Sequence, residues 1–142
     1  MKHFLTYVKH SYDVIVETEA RISINLEHEI EAFVVHTFAK YMEQPNIPTD
    51  AIALKMMAAV NETRDIRKQQ FQQIAEECLL IDGFRLNNRR WPSNSYFKDM
   101  GIIALEHRAY SERPPELMYE KIANHFHEMS YVLNNIRIPL GP

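Results

Sequence analysis

Four polar side chains fall on predicted helices where they could meet and form a small binding site. Arg67 and Gln70 continue the apolar face of one helix toward its N-terminus. His107 lies on the next helix and Tyr119 on the last one. If the helix of Arg67 and Gln70 runs antiparallel to the helix of His107, Arg67 and Gln70 stand opposite His107. A guanidinium, an amide, an imidazole and a phenol placed together would bind a small anionic ligand.

Each of the two central residues also has a simpler structural explanation. A buried arginine needs a partner, because an unpaired charge in a core is strongly destabilising. Arg67 therefore reaches solvent at the end of the bundle, which is the commoner outcome, or meets an acid, or awaits an anion. His107 projects from the centre of an apolar face, where a histidine is more often a core residue satisfied by one hydrogen bond than a ligand or a base. Its neighbours on that face are Met100, Ile103 and Ala104.

A second candidate site is the basic and aromatic segment "RLNNRRWPSN". Gly83 favours a helix end before it, and Pro92 extends the backbone at the residue that precedes it, so the segment is predicted as a loop. Basic residues beside an exposed aromatic ring can stack on a nucleotide and neutralise it. A tryptophan that folds back over the end of the bundle is the commoner arrangement. The candidate residues in this loop are Arg85, Arg89, Arg90 and Trp91.

Metal and catalytic signatures are not evident. Carboxylate-bridged metal sites in bundles use the order Glu-x-x-His, which this chain reverses in the pairs His28 with Glu31 and His125 with Glu128. Projection on a helical wheel places both pairs on the solvent side of their helices. Cys78 lies in the apolar run "ECLLI", where a thiol is inert. We therefore predict no metal, cofactor or catalytic residue. The missing phosphate-binding and nucleophile motifs lower the expectation of an enzyme without excluding one.

Composition narrows the choice of partners and compartment. The net charge of −3 argues against a protein that mainly neutralises nucleic-acid phosphates, although residues 64 to 98 are locally basic. A single cysteine excludes an internal disulfide, and the N-terminus lacks the apolar core of a secretory signal. No apolar run approaches the ~20 residues of a membrane span. These features predict a cytoplasmic protein that acts away from the membrane.

Apolar spacings of three and four residues predict an all-α fold, a single-domain antiparallel bundle of about six helices over residues 1–142. Asn25 and Thr49 are predicted as N-caps. The segment from Thr49 to Asp82 contains no Gly or Pro and is too long for one helix, so we expect a break near residues 61–63. The predicted helices cover about residues 3–20, 25–43, 50–60, 63–81, 96–110 and 115–137.

The segments "LEHEIEAFVVHTFAKYM", "ECLLIDGF", "YFKDMGIIAL" and "ANHFHEMSYVLNNIR" together resemble a group of small helical bacterial proteins. The similarity spans most of residues 26 to 137. The resemblance implies a single helical domain of bacterial type. It implies no substrate, cofactor or catalytic residue.

The leading interpretation is a non-enzymatic bundle that acts through protein association, as a homodimer or as a regulatory or adaptor protein. Its basis is a surplus of apolar positions outside the main helical stripes, since such a surplus marks an interface. The alternative is a ligand-binding or enzymatic bundle built around the polar site, with or without a metal. The surplus positions are Val35, Ala39, Met42 and Val132.

Overall fold

The computed structural model describes residues 2–137, and all of their regular secondary structure is helical. Seven helices follow one another in that range, with no strand between them. The all-α class predicted from the sequence is confirmed, whereas the expected number of six helices is wrong. The helices are α1 (Lys2–Ile22), α2 (His28–Glu43), α3 (Ile52–Val60), α4 (Arg64–Gly83), α5 (Asn94–Tyr110), α6 (Leu117–Asn124) and α7 (Phe126–Asn134).

Helix α4 is the central element of the packing. It contacts α2, α3, α5 and α7, and every residue from Ile74 to Ile81 is buried. A helix that is covered on all sides shows a continuous apolar run rather than a stripe, and "IAEECLLI" is such a run except at two positions. Those positions, Glu76 and Glu77, are buried with their carboxylates paired to lysines.

The face that α5 buries is rotated from the predicted one. Ile103 is 39% exposed and His107 is also exposed, so the predicted apolar face that contained both is wrong. The reason is Gly101, where a Cβ atom would lie 2.5 Å from the ring of Phe126. The glycine side of α5 therefore makes the closest helix contact. The buried residues of α5 are Phe97, Gly101, Ala104, Leu105 and Ala109.

The extra helix arises because the last predicted helix is broken at His125. The Nδ1 atom of His125 lies 2.9 Å from the carbonyl oxygen of Lys121, which a continuous α-helix would use for the backbone N–H of residue 125. That N–H donates instead to Ile122, one residue closer. The regular pattern resumes when Met129 donates to the carbonyl of His125. A side chain inserted into the backbone hydrogen bonds thus divides α6 from α7.

The remaining helix ends follow the predictions in part. The break at 61–63 is confirmed, and Thr63 and Ser93 occupy the N-cap positions of α4 and α5, although neither side chain makes a capping hydrogen bond. Asn25 and Thr49 are not N-caps, since Glu27 and Ala51 occupy the N-cap positions of α2 and α3. The turn that contains Asn25 is instead held by a side chain of α1, as described below.

Candidate functional site

The structure does not assemble the predicted polar pocket. Arg67 is partly buried, and its guanidinium donates to Ser111 Oγ at 3.2 Å and to the carbonyl of Glu62 at 3.3 Å. Its partners are therefore neutral oxygen atoms, not an acid or a vacant anion site. The imidazole of His107 stacks on Phe71, with ring centroids 4.8 Å apart, and remains exposed to solvent.

Of the other two predicted pocket residues, Tyr119 contacts Arg108 instead. Arg108 covers the ring of Tyr119 at 4.1 Å from its centroid and donates to the phenol oxygen at 3.2 Å. The Tyr119 hydroxyl also lies 3.4 Å from Gln72 Oε1. Gln70 is partly buried and contributes to neither group of contacts. The large groove described below is lined by other residues.

A network of ion pairs surrounds Arg108 and ties α4 to the connection between α5 and α6. Lys68 lies 2.5 Å from Glu112 and 3.2 Å from Glu116, and Arg108 also pairs with Glu116. The hydrogen bond from Lys68 holds the pKa of Glu112 below its usual range, and that from Arg108 does the same for Glu116. Because every charge has an opposite neighbour, the network stabilises the turn rather than offering a free binding group.

The basic loop is exposed, and its tryptophan does not fold back over the helices. Trp91 is 82% exposed, so the commoner arrangement predicted from the sequence is wrong. Asn87 donates to the carbonyl of Pro92 at 2.7 Å and holds the loop closed. Arg85 has a φ of 53° and donates to Asn134 on α7 at 3.3 Å. Arg89 and Arg90 are exposed.

The histidine pairs and the cysteine show no catalytic arrangement. His28 and Glu128 are exposed, while His125 bonds Lys121 within its own helix turn. Nowhere in the described part of the chain do three His, Cys, Asp or Glu side chains gather as a metal site requires. Burial raises the pKa of the Cys78 thiol. None of the described helices is long and apolar enough to cross a membrane.

The predicted surplus of apolar positions proves to be core. Val35, Ala39 and Val132 are buried within the chain, and Met42 is partly buried against the same core. These residues therefore cannot form an interface, and that basis for association is wrong. Apolar surface is exposed elsewhere, and its densest stretch is the short helix α3.

Helix α3 is apolar on both its inner and its outer face. Its inner residues, Ile52, Met56 and Ala59, pack toward α4, which is the helix it mainly contacts. Leu54 is 70% exposed, and Met57 and Val60 are 67% and 55% exposed on the outside. The only charged residue of α3, Lys55, is turned toward α4. A helix that is apolar all round is normally covered on all sides.

A polar groove lies between α2, α3 and α4, and its floor holds two buried carboxylates. Lys40 Nζ lies 2.9 and 3.1 Å from the two carboxylate oxygens of Glu76. Lys55 Nζ lies 2.7 Å from Glu77. Each lysine side chain is itself partly exposed, so the positive end of each pair faces the open side. The pairing explains how two acids can lie within the buried run of α4.

The groove has a volume of about 860 Å³, within the range of small-molecule sites. Gln72 and Gln73, one turn before the two carboxylates, extend amide groups to 3.4 Å from them. Tyr41 and Leu80 supply apolar wall. Three acids line the groove against two lysines, since exposed Glu43 stands at its edge, so the lining is slightly acidic.

No known protein family, curated protein or solved structure matches this chain.

Proposed function

We propose that the protein acts by associating with a second copy of itself through the outer face of α3. The observation that carries the proposal is the pair of exposed apolar side chains Leu54 and Met57 on a helix without an outward-facing charge. Removing such side chains from water is worth roughly 1.5–3 kcal/mol each when burial is complete. The unpaired face therefore supplies a driving force for association.

A second copy suits this face because the face complements itself. In a two-fold dimer, each residue of α3 meets α3 of the partner, so an uncharged apolar stripe meets another without leaving a charge unpaired. A standard interface buries about 800 Å² on each side, more than nine helical residues offer. An interface of standard size therefore also needs apolar residues outside α3, and Ile66, exposed at the start of α4, is the next one along the chain.

The proposal is tested by the variant Leu54→Glu, with Leu5→Glu as its matched control. Leu5, on α1, is 68% exposed, almost the same as Leu54, and lies outside the proposed interface. Sedimentation velocity over a wide concentration range measures the monomer–dimer equilibrium of all three proteins. Far-UV circular dichroism checks that each variant keeps its helices.

We expect the native protein and Leu5→Glu to dimerise with similar affinity and Leu54→Glu to remain monomeric. Two glutamates brought together at a two-fold axis repel each other in a desolvated interface, and this reinforces the loss of apolar contact. A native protein that stays monomeric at high concentration rejects the proposal. Equal weakening by both glutamates would place the interface elsewhere.

The proposal also covers how the helices are arranged, where the protein acts and what type of organism it comes from. The helices are taken as one antiparallel bundle, as the short connections between successive helices suggest. The protein is taken to act in the cytoplasm, where the free thiol of Cys78 would stay reduced. Its bacterial type rests on the four sequence segments quoted above.

A second candidate function, the binding of a small organic cation, is favoured by the polar groove. The carboxylates of Glu76 and Glu77 are fixed in the buried part of α4, whereas the ammonium groups that neutralise them come from partly exposed lysines. A ligand with two ammonium groups could replace Lys40 and Lys55 without leaving either acid unpaired. The lysines would then regain solvent, so the exchange conserves the charge of the floor.

Putrescine is a suitable probe, and the test compares the native protein with Glu76→Gln. Isothermal titration calorimetry at constant ionic strength measures its binding, and Glu17→Gln, which removes an exposed acid on α1, is the matched control. If putrescine binds in the groove, we expect saturable binding to the native protein and to Glu17→Gln, and weaker binding to Glu76→Gln. Identical heats for all three proteins would leave only nonspecific screening.

A further inference from the structure

A buried acid on α1 lacks a hydrogen bond that its position demands. Glu19 is only 6% exposed. Its Oε2 atom accepts the backbone N–H of Leu26 at 2.9 Å and so holds the turn between α1 and α2. Its Oε1 atom is buried and has no hydrogen-bond partner. A buried carboxylate oxygen without a hydrogen-bond partner destabilises the fold, so the protonation state of Glu19 has to be considered.

The charged group that acts on Glu19 is another acid, not a cation. Glu31 of α2 lines the same surface depression as Glu19, together with the turn residues that follow α1. Arg21, two residues further along α1, directs its guanidinium to Glu17 and to the backbone carbonyl of Asn135. That carbonyl, just after α7, is neutral. Among the described residues that line this depression, none is a cation that could balance the Glu19 carboxylate.

Lys121 of α6, a helix that packs on α2, is also engaged elsewhere. It pairs with Glu29, at 2.9 Å, and with Glu27, both on the outside of the start of α2. These two acids are thus neutralised, whereas Glu31 forms no ion pair with a described residue, although Lys9 of α1 and His28 and His36 of α2 line a second depression with it.

We propose that Glu19 and Glu31 share one proton, which binds Oε1 of Glu19 and acts as a pH-sensitive clasp between α1 and α2. A protonated Oε1 becomes a donor, so it satisfies the orphan atom by bonding the Glu31 carboxylate. The same proton removes the repulsion between the two acids. When the proton is lost, Oε1 again lacks a hydrogen-bond partner and the two carboxylates again repel each other. Helix α1 then separates more readily from α2.

The pKa of Glu19 agrees with this geometry. Burial raises the pKa of Glu19 from 4.5 to about 7, and the neighbouring Glu31 adds to the rise. Because the folded pKa is above the unfolded one, the proton stabilises the fold fully below about pH 4.5, and this stability is lost as the pH rises through about 7. Between about pH 5 and about pH 8 the unfolding equilibrium constant should rise roughly 70-fold from this group alone.

The test compares the pH dependence of urea unfolding in the native protein and in Glu19→Gln, with Glu17→Gln as the exposed-acid control. The amide of glutamine supplies a permanent donor, so Glu19→Gln should lose most of the roughly 70-fold pH effect. Glu17→Gln should keep it. If Glu19→Gln kept the native pH dependence, the shared proton would be disproved.

A direct measurement covers the case in which Glu19→Gln does not fold. The ¹³C chemical shift of the Glu19 carboxyl group should titrate near neutral pH in the native protein, and at lower pH in Glu31→Gln. A normal carboxyl titration of Glu19 in the native protein overturns the proposal.

Discussion

Substituting alanine for Gly101 tests the close packing of α5 against α4 and α7. A Cβ atom at residue 101 would lie 2.5 Å from Cε2 of Phe126 and 3.0 Å from Cβ of Cys78. Real Cβ contacts are about 3.5–4 Å. The Phe126 ring is fully buried, and the Cys78 Cβ moves only with the backbone of α4. One of the two neighbours must shift by roughly an ångström.

Two effects of opposite sign decide the magnitude. In an exposed helix, replacing glycine by alanine stabilises by about 1 kcal/mol. Overpacking a core by one methyl group destabilises by about 1–3 kcal/mol, toward the upper end where a neighbour cannot move. For Gly101→Ala the contact with Phe126 should exceed the propensity gain, so we expect a net loss of about 1–2 kcal/mol in the free energy of unfolding.

Urea denaturation measures this change, and a double-mutant cycle assigns its cause. Phe126→Leu removes the ring atoms that the new methyl group would meet. In that background Gly101→Ala should be nearly neutral or stabilising, with a coupling above about 0.5 kcal/mol. If Gly101→Ala raised the stability of the native background, the close approach of α5 would be incorrect.

Three further predictions concern single residues. Cys78 should react with a thiol reagent only at the rate of unfolding, because the thiol is buried and burial raises its pKa, and rapid labelling of the native protein would contradict this. Trp91, the only tryptophan, should emit at the wavelength of a solvated indole and be quenched by iodide, whereas a blue-shifted, protected emission would show that the loop folds back. Tyr119→Phe keeps the ring under Arg108 but removes the hydroxyl that Arg108 bonds at 3.2 Å. The free energy of unfolding, measured by urea or thermal unfolding, should therefore fall by about 0.5–1.5 kcal/mol. No change would show that this hydrogen bond is not formed in solution.

Local periodicity predicted most helices but not the packed face of α5. The prediction centred that face on large residues such as Ile103, which the structure exposes. Ala104, which the prediction included, is buried, but the closest approach is made at Gly101, which carries no weight in an apolar pattern. Only the position of Phe126 in the folded chain shows why a glycine belongs there. A face chosen for close approach is therefore harder to predict than one chosen for apolar area.

The break at His125 was missed for a related reason. Ile122 and Phe126 are buried on either side of it, and Met129 and Leu133 continue the same stripe. The apolar spacing therefore runs through the break undisturbed. The cause is a side-chain bond to the carbonyl of Lys121, which leaves no trace in hydrophobic periodicity.

The polar groove was missed because charged residues are normally taken as exposed. Glu76 and Glu77 interrupt an apolar run, which is the one signal of the site that the sequence contains. Their partners lie 36 and 22 residues away in the chain, on α2 and α3. No local pattern relates Lys40 or Lys55 to these acids, so the pairing follows only from the packing of the three helices.

The two proposed functions meet at α3, and this makes them interdependent. The outer face of α3 carries Leu54, which a second copy would cover, while Lys55 on its inner side pairs with Glu77 in the groove. A cation that replaced Lys55 would remove one of the few polar anchors of a helix that packs mainly on α4. It would thereby disturb the surface needed for dimerisation. By linkage, dimerisation must weaken cation binding by the same factor, because a partner that holds α3 in place also holds Lys55 on Glu77.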